Sequence, residues 1–227
     1  MKAKDVKQIL KDTAYPHTAA SPEEMKCLTY LQERCERIGL KTWIEGFPIE
    51  RANIRSASLT VDGKSYACKA YIGCGSGKVE GPLYYLRNTD DLSFSLCKGH
   101  IVLTDQPLNM WNYQDMLKNG ALGFITFTGR YSCPDRDIDQ KTLRPATSQG
   151  KKSLGVNINV KDAMDIVAKN GQHACIEIEQ DVFEADAHNL IAELPGEIDE
   201  WIALTAHYDS TPLSCGTLKT SVRTAGA

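Results

Sequence analysis

Residues 97–127 read CKGHIVLTDQPLNMWNYQDMLKNGALGFITF, with two strongly apolar runs on either side of a stretch that mixes polar and apolar residues. This pattern predicts a buried strand at Gly99–Asp105, a helix at Trp111–Asn119 and a second buried strand at Ala121–Phe127. Gly120 stands where a helix commonly ends, because glycine adopts a left-handed conformation without strain. A strand, a helix and another buried strand in succession are typical of an α/β (mixed) fold.

A second strand-helix-strand unit and a hairpin extend this pattern along the chain. Leu154–Ile158 is predicted to be extended, Lys161–Lys169 helical and Ala174–Glu179 a strand. Upstream, Asp62-Gly63 lies between two short runs of alternating residues and predicts a tight hairpin. Lys78–Leu86 is predicted to be a further strand, which its internal proline places at a sheet edge.

The first fifty residues predict two helices and a strand. Pro22–Ile38 has apolar residues at helical spacing, with Ser21 as the N-cap and Glu24 where a capping box needs a carboxylate. A shorter helix is predicted at Asp5–Leu10, and Leu40–Glu45 is predicted to be a strand.

Composition limits the classes of function. The 227 residues are 42% hydrophobic and 24% charged, as in globular proteins, and the net charge of -3 with scattered basic residues excludes a nucleic-acid partner. No apolar run has the length of a signal peptide or a membrane span, so the sequence predicts a cytoplasmic location and no membrane partner. The eight cysteines form no Cys-x-x-Cys pair and are predicted to be reduced thiols.

Two side chains after an apolar run have metal-binding chemistry. Trp201–Ala206 reads WIALTA and is predicted to be a strand that pairs antiparallel with Asn189–Leu194. His207 and Asp209 follow, and side chains two residues apart on a strand share one face. A neutral imidazole is a good zinc ligand, and a nearby carboxylate can hold its tautomer and orientation. By itself a His-x-Asp pair does not identify a site.

The surroundings of this pair resemble a known family. Residues 189–196, NLIAELPG, and residues 201–210, WIALTAHYDS, are similar to the opening hairpin of the di-zinc aminopeptidases, whose superfamily includes glutamate carboxypeptidase and the transferrin receptor. The resemblance implies a metallopeptidase that hydrolyses N-terminal residues from peptide substrates. It also implies that His207 is a metal ligand, that Asp209 is the catalytic-site residue supporting it, and that full-length relatives bind two zinc ions. The oligomeric state is left open.

Residues 97–127 resemble the protease-associated (PA) domain that precedes this hairpin in such peptidases. The resemblance implies N-terminal helices of the peptidase domain at 1–50, a PA domain at 51–185, and the first hairpin of the peptidase domain at 186–227. The implied architecture is a β-rich α/β PA domain inserted ahead of the incomplete start of a phosphorylase/hydrolase-like zinc-peptidase sheet.

The pattern departs from the family after about Gly216. A di-zinc site needs a bridging carboxylate, further ligands for each metal and a general-base glutamate. Residues 217–227, TLKTSVRTAGA, contain no carboxylate. The sequence therefore predicts a truncation or frameshift near this point and a chain that is inactive alone, because one histidine does not hold a catalytic zinc ion.

The other candidate ligands have more ordinary interpretations. His17 is predicted to lie in a polar linker, and His188 in a solvated loop before the hairpin. Asp135, Asp137 and Asp139 alternate but lack the glycine and the terminal glutamate of an EF-hand, which favours a solvated loop over a calcium site.

Two further functions stay open. The chain is alternatively a non-catalytic PA peptide- or protein-binding module, or a degraded gene product whose exposed sheet edges promote aggregation. A neighbouring family of zinc carboxypeptidases and deacylases also has His-x-Asp on a strand, but it usually lacks the inserted domain, so Gly99–Phe127 argues against it. The peptidase interpretation requires His207 and Asp209 to face a cleft rather than bulk solvent.

Overall fold

The computed structural model describes residues 3–130, 132, 137–197, 200 and 202–210. It has the mixed α/β fold that the sequence predicts, with helices and an eight-stranded mixed sheet. The helices are α1 Ala3–Asp12, α2 Pro22–Arg37, α3 Asp91–Ser95, α4 Met110–Lys118, α5 Pro145–Ser148 and α6 Val160–Ala168. The strands are β1 Lys41–Val61, β2 Lys64–Tyr66, β3 Cys68–Ala70, β4 Gly77–Leu86, β5 Ile101–Thr104, β6 Gly123–Thr128, β7 Leu154–Asn159 and β8 His173–Glu193.

The strands lie in the order β2-β1-β8-β4-β5-β6-β7-β3. Strands β4 to β7 run parallel to one another. The pairs β1–β2, β4–β8 and β3–β7 are antiparallel. The three connections between these parallel strands contain the helices α3, α4 and α5, as expected because a strand that pairs parallel with its neighbour needs a crossover connection.

The described residues divide into two compact units. One unit contains the described residues up to Glu50 and those from Glu184 onward, and the other contains Arg51–Phe183. The assignment of residues 51–185 to a PA domain stays a prediction.

The core of the unit at 51–183 is centred on its parallel strands. Ile101, Val102 and Leu103 are all 0% exposed, so consecutive side chains, which point to opposite faces, are covered on both faces. Tyr113 and Met116 of α4 are also buried. Continuous apolar runs are the expected sequence of such strands, and the two strand-helix-strand units are confirmed.

The Asp62-Gly63 hairpin is confirmed. Val61 pairs with Lys64 in the antiparallel register, and the two turn residues have φ angles of 49° and 79°. Positive φ at both central positions matches the twist of the flanking strands, and Asp followed by Gly is a sequence that accepts it readily.

The edge position predicted for the strand around Pro82 is wrong. β4 lies between β8 and β5, but it pairs with β8 up to Pro82 and with β5 only from Leu83 onward. Leu83 N–H points to the β8 side, where it donates to Gln172 O at 2.8 Å. Successive residues alternate, so the nitrogen of Pro82 faces the other side, before the β5 ladder begins, and its missing N–H leaves no gap.

Each of the two longest strands spans a range in which the sequence predicted shorter, separate strands. β1 and β8 each have 21 residues and continue through polar stretches. Arg55 donates to both carboxylate oxygens of Asp181 at 2.7 Å, and its Nη1 lies 3.2 Å from Glu179 Oε1. Cross-strand charge pairs of this kind supply contacts that a hydrophobic pattern does not reveal.

The six cysteines among the described residues are free, as predicted; Cys133 and Cys215 lie outside those residues. Burial raises the pKa of the Cys68 and Cys97 thiols to about 11. Within the part of the chain that the structure describes, no helix is long and apolar enough to cross a membrane.

Gly155 of β7 is expected to tolerate no side chain. A Cβ at this position would lie 1.9 Å from Cζ of Phe124, its cross-strand neighbour, whose ring is held edge-on by Tyr71 and Tyr113. Gly155→Ala should therefore lower the free energy of unfolding by about 1–3 kcal/mol, the usual cost of overpacking. Urea denaturation measures this difference.

The matched background for this substitution is Phe124→Leu. The smaller side chain leaves room for the added methyl group, so Gly155→Ala should cost less in that background than in the unaltered chain. An equal cost in both backgrounds would contradict a clash with the Phe124 ring.

Candidate functional site

The prediction of a strand at Trp201–Ala206 is wrong for the described residues of that segment, 202–206. Residues 202–210 form neither helix nor strand, and Trp201 lies outside the described residues. Ile202 is 91% and Leu204 95% exposed. A strand needs a neighbour to take its main-chain hydrogen bonds and a cover for its apolar faces. No described segment supplies either one here, and the predicted hairpin with Asn189–Leu194 is therefore absent from the described residues as well.

The predicted pair is close together but open to solvent. His207 Nδ1 lies 3.0 Å from Asp209 Oδ1, and the two side chains are 95% and 36% exposed. When Nδ1–H donates to the carboxylate, the lone pair of the imidazole is at Nε2, which is then available to a cation. The His207 side chain is thus exposed to solvent in the described part of the chain, and its role as a metal ligand stays a prediction.

His17 holds the segment that carries this pair. Ser210 N–H donates to His17 O at 3.0 Å, and His17 N–H donates to Ser210 Oγ at 2.8 Å. Each ring nitrogen of His17 lies against a carbonyl oxygen, Nδ1 against that of Tyr15 and Nε2 against that of Tyr208. His17 lies in the segment between α1 and α2, as the sequence predicts, and the residue is 7% exposed.

Glu24 is a buried carboxylate at the start of α2. Its N–H donates to Ser21 Oγ at 3.1 Å, which confirms the N-cap. The carboxylate reaches back as in a capping box, but its Oε2 accepts from Ala20 N–H at 2.9 Å. Glu24 is 1% exposed, and Oε1 accepts from His188 N–H at 3.0 Å and from the Tyr208 hydroxyl at 2.9 Å.

His188 lies within β8 and is not the solvated loop residue that the sequence suggests. Its side chain is 22% exposed, with Nδ1 3.4 Å from Glu24 Oε2. Its carbonyl oxygen is 2.7 Å from the Tyr208 hydroxyl. Its ring also lies over Gly46, where a Cβ would be 3.7 Å from Cδ2 of the imidazole.

Tyr208 joins these residues to the candidate metal ligand. Burial, followed by the hydrogen bond to the Glu24 carboxylate, raises the pKa of its phenol above the ordinary value. The hydroxyl therefore keeps its proton and remains a donor to Glu24. We refer to His17, Glu24, His188 and Tyr208 together as the anchor network.

The chain resembles many solved structures, three of which are described here. They are a zinc aminopeptidase from Bacillus subtilis (TM-score 0.67, 19% identity, 93% of this chain and 52% of that chain), the aminopeptidase from Aneurinibacillus sp. strain AM-1 (0.62, 17%, 87% and 49%) and a peptidase M28 precursor from Shewanella amazonensis (0.64, 16%, 91% and 53%). The chain shares its fold with zinc aminopeptidases. It spans about half the length of these aminopeptidases. Neither a protein-family model nor a curated protein sequence matches it.

A shared fold does not establish the metal site of the aminopeptidases in this chain. Among the described residues, no group of three or more His, Cys, Asp or Glu side chains is arranged to hold a metal ion. A catalytic zinc ion requires about three protein ligands. The described residues thus fit one ligand, His207 with Asp209 behind it, and do not fit a complete zinc site. Of the aspartates in the polar loop, Asp135 lies outside the described residues, and Asp137 is 3.9 Å from Lys69 Nζ.

The burial of Glu24 can be tested against its neighbour Glu23. Both carboxylates lie in the first turn of α2, but Glu23 is exposed, whereas Glu24 accepts three hydrogen bonds. Glu24→Gln should lower the free energy of unfolding by about 1.5–3 kcal/mol, the value of a hydrogen bond to a charged group. Glu23→Gln should cost about 0.3–1 kcal/mol, the helix-dipole contribution that both variants lose. Chemical denaturation measures both, and equal losses would contradict the anchoring role of Glu24.

The raised pKa of the Tyr208 phenol predicts that the stability of the folded protein depends on pH under alkaline conditions. Its pKa is raised in the folded protein, so its contribution to stability is fully present below the unfolded value of about 10 and is lost as the pH rises through the folded value. The stability difference between the unaltered chain and Tyr208→Phe should therefore be constant from neutral pH to about pH 10 and decrease above it. Denaturation at several pH values measures it; a difference that grows with pH would contradict the assignment.

Proposed function

We propose that the chain is part of a zinc metallopeptidase of the aminopeptidase type, which releases N-terminal residues from peptides. His207 is one zinc ligand, and Asp209 is the residue that orients it. One observation carries this proposal: the 3.0 Å contact between His207 Nδ1 and Asp209 Oδ1, in a chain that shares its fold with zinc aminopeptidases. The similar structure from Bacillus subtilis is a zinc aminopeptidase by name, and zinc is the metal proposed here.

The two side chains have separate tasks in this proposal. Asp209 Oδ1 accepts a hydrogen bond from Nδ1–H of His207 and thereby keeps the ring in one tautomer and one orientation. His207 directs Nε2 outward and provides a neutral nitrogen ligand, which suits zinc. Because the described residues offer a single ligand, the chain by itself is proposed to be inactive, and the remaining ligands belong to other residues of the enzyme.

The remaining assignments belong to the same proposal. Residues 51–185 form a PA domain that shapes or covers the substrate cleft, and residues 1–50 and 186–227 belong to the peptidase domain. The compact unit at Arg51–Phe183, which has its own buried core, supports the first assignment. A cytoplasmic location is supported by the free cysteines among the described residues.

The second candidate is a non-catalytic PA module that binds peptides or a protein. It is favoured by the lack of a group of three metal-ligating side chains in the described part of the chain. It is also favoured by a core at 51–183 that is built from apolar side chains and needs no metal.

The test compares the longest natural protein that contains this segment with the 227-residue chain alone. The longer protein should contain zinc and release the N-terminal residue of aminoacyl-p-nitroanilides, and a chelator should abolish this activity. The chain alone should release none. Activity of the longer protein that survives removal of zinc would refute the peptidase proposal; a zinc-free protein that folds cooperatively and lacks activity would favour the binding module.

Substitutions in the longer protein locate the ligand. His207→Ala should abolish hydrolysis and lower the zinc content, whereas His173→Ala, at another exposed histidine, should change neither. Asp209→Asn should weaken zinc binding or activity by about 10–100-fold, as is usual for the partner of a ligating histidine. Full activity in His207→Ala would overturn the assignment of this residue.

A further inference from the structure

We infer that the anchor network positions the proposed zinc ligand: His17 and Glu24 hold Tyr208 and Ser210, the two residues that alternate with His207 and Asp209. This inference rests on the proposed role of His207 for its link to metal binding. The anchoring itself is a property of the described residues and can be tested without a metal.

The alternation is visible in the burial of the tetrapeptide. His207 and Asp209 are exposed, whereas Tyr208 and Ser210 are half-buried. In an extended segment, neighbouring side chains point to opposite sides. The tetrapeptide therefore has one side held by the protein and one side presented to solvent, and the presented side carries the imidazole and the carboxylate.

His17 holds this segment at two places. Its carbonyl oxygen accepts from Ser210 N–H at 3.0 Å, and its N–H donates to Ser210 Oγ at 2.8 Å. Nε2 of its ring lies against the carbonyl oxygen of Tyr208, and Nδ1 lies against that of Tyr15. Because His17 is 7% exposed and each ring nitrogen has a carbonyl oxygen against it, the ring has little freedom to turn, and Tyr208 and Ser210 are held in fixed positions relative to each other.

Glu24 holds Tyr208 from the side-chain end. The Tyr208 hydroxyl lies 2.9 Å from Glu24 Oε1 and 2.7 Å from the carbonyl oxygen of His188. The carboxylate is itself fixed by Ala20 N–H and His188 N–H at 2.9 and 3.0 Å, and it belongs to the first turn of α2. Since Tyr208 stands between His207 and Asp209, fixing its backbone and its hydroxyl also fixes the directions of the two flanking side chains.

A segment without helix or strand hydrogen bonds has many conformations in which the imidazole and the carboxylate separate. Only an anchored backbone keeps the 3.0 Å contact between His207 Nδ1 and Asp209 Oδ1 populated. The network is thus expected to set the tautomer of His207. The tautomer with a proton on Nδ1 is favoured only while Asp209 is in place to accept a hydrogen bond from Nδ1–H.

The test uses the 227-residue chain and the variants Tyr208→Phe and His17→Ala. The control is Tyr30→Phe, which also removes a phenol that donates to a carboxylate, in this case Asp12 at 2.7 Å, and has no bond to residues 207–210. Two properties are measured: amide hydrogen exchange at residues 207–210, and the tautomer of His207 from the nitrogen chemical shifts of its ring.

In the unaltered chain and in Tyr30→Phe, His207 should be mainly in the tautomer with a proton on Nδ1. In Tyr208→Phe and His17→Ala, exchange of the Ser210 amide should be at least about 10-fold faster, because loss of one hydrogen bond costs about 1.4 kcal/mol, and the Nδ1 tautomer should lose its majority. His17→Gln keeps an N–H donor in the side chain and should restore part of both signals. Unchanged exchange and tautomer in both Tyr208→Phe and His17→Ala would overturn the inference; Tyr208→Phe removes a single oxygen and serves if His17→Ala fails to fold.

Titration with Zn²⁺ alone separates this inference from the proposed function. Zinc should shift the His207 ring signals in the unaltered chain, with an apparent affinity about 10-fold weaker in Tyr208→Phe. If zinc also leaves His207 unaffected in the longer protein while the exchange and tautomer results hold, the anchoring stands and the zinc assignment fails. If zinc binds equally well in all variants, the network does not position the ligand.

Discussion

The burial of the Glu24 carboxylate is the constraint on which the unit around the candidate site depends. A carboxylate that is 1% exposed has lost its water and must be hydrogen-bonded inside the protein. The donors are Ala20, which precedes the N-cap of α2, His188 of β8, and Tyr208 in the segment after β8. Satisfying one side chain therefore brings three separate segments to one place.

The unit at Arg51–Phe183 is stabilised differently. Its parallel strands are buried on both faces, and the closest contacts are steric, such as the Phe124 ring over Gly155. The polar groups inside it are paired among themselves: Asn157 is 0% exposed and bonds the hydroxyls of Thr126 and Thr128 at 2.9 and 2.6 Å. Shape decides most positions here, whereas charge and hydrogen bonding decide the positions around Glu24.

The exposure of His207 and Asp209 agrees with the proposed incompleteness of the site. A complete metal site surrounds the ion with several ligands. The described residues contain no group of three or more His, Cys, Asp or Glu side chains that could hold a metal ion. The three solved structures with the same fold are about twice as long as this chain. The chain provides the proposed ligand, His207, and its proposed partner Asp209 on an anchored backbone, and the anchor is made from residues before Arg51 and after Phe183 in the sequence.

Local patterns in the sequence were sufficient to predict helices and strands of the unit at Arg51–Phe183. Apolar runs, helix ends and the Asp62-Gly63 turn depend on neighbouring residues, so periodicity and turn chemistry predicted β5, α4, β6 and the hairpin. The N-cap Ser21 and the reach of Glu24 were predicted for the same reason, since a capping box spans four residues. The closeness of His207 and Asp209 also follows from a separation of two residues.

The tertiary structure alone decided the partners of these groups. Nothing near His17 in the sequence indicates that its ring meets a carbonyl 191 residues away, and nothing near Glu24 indicates donors from His188 and Tyr208, 164 and 184 residues distant. The central position of β4 and the lack of a strand at residues 202–206 have the same cause. A hydrogen bond or an apolar contact needs a second surface, and the position of that surface depends on the path of the whole chain rather than on the residues beside it.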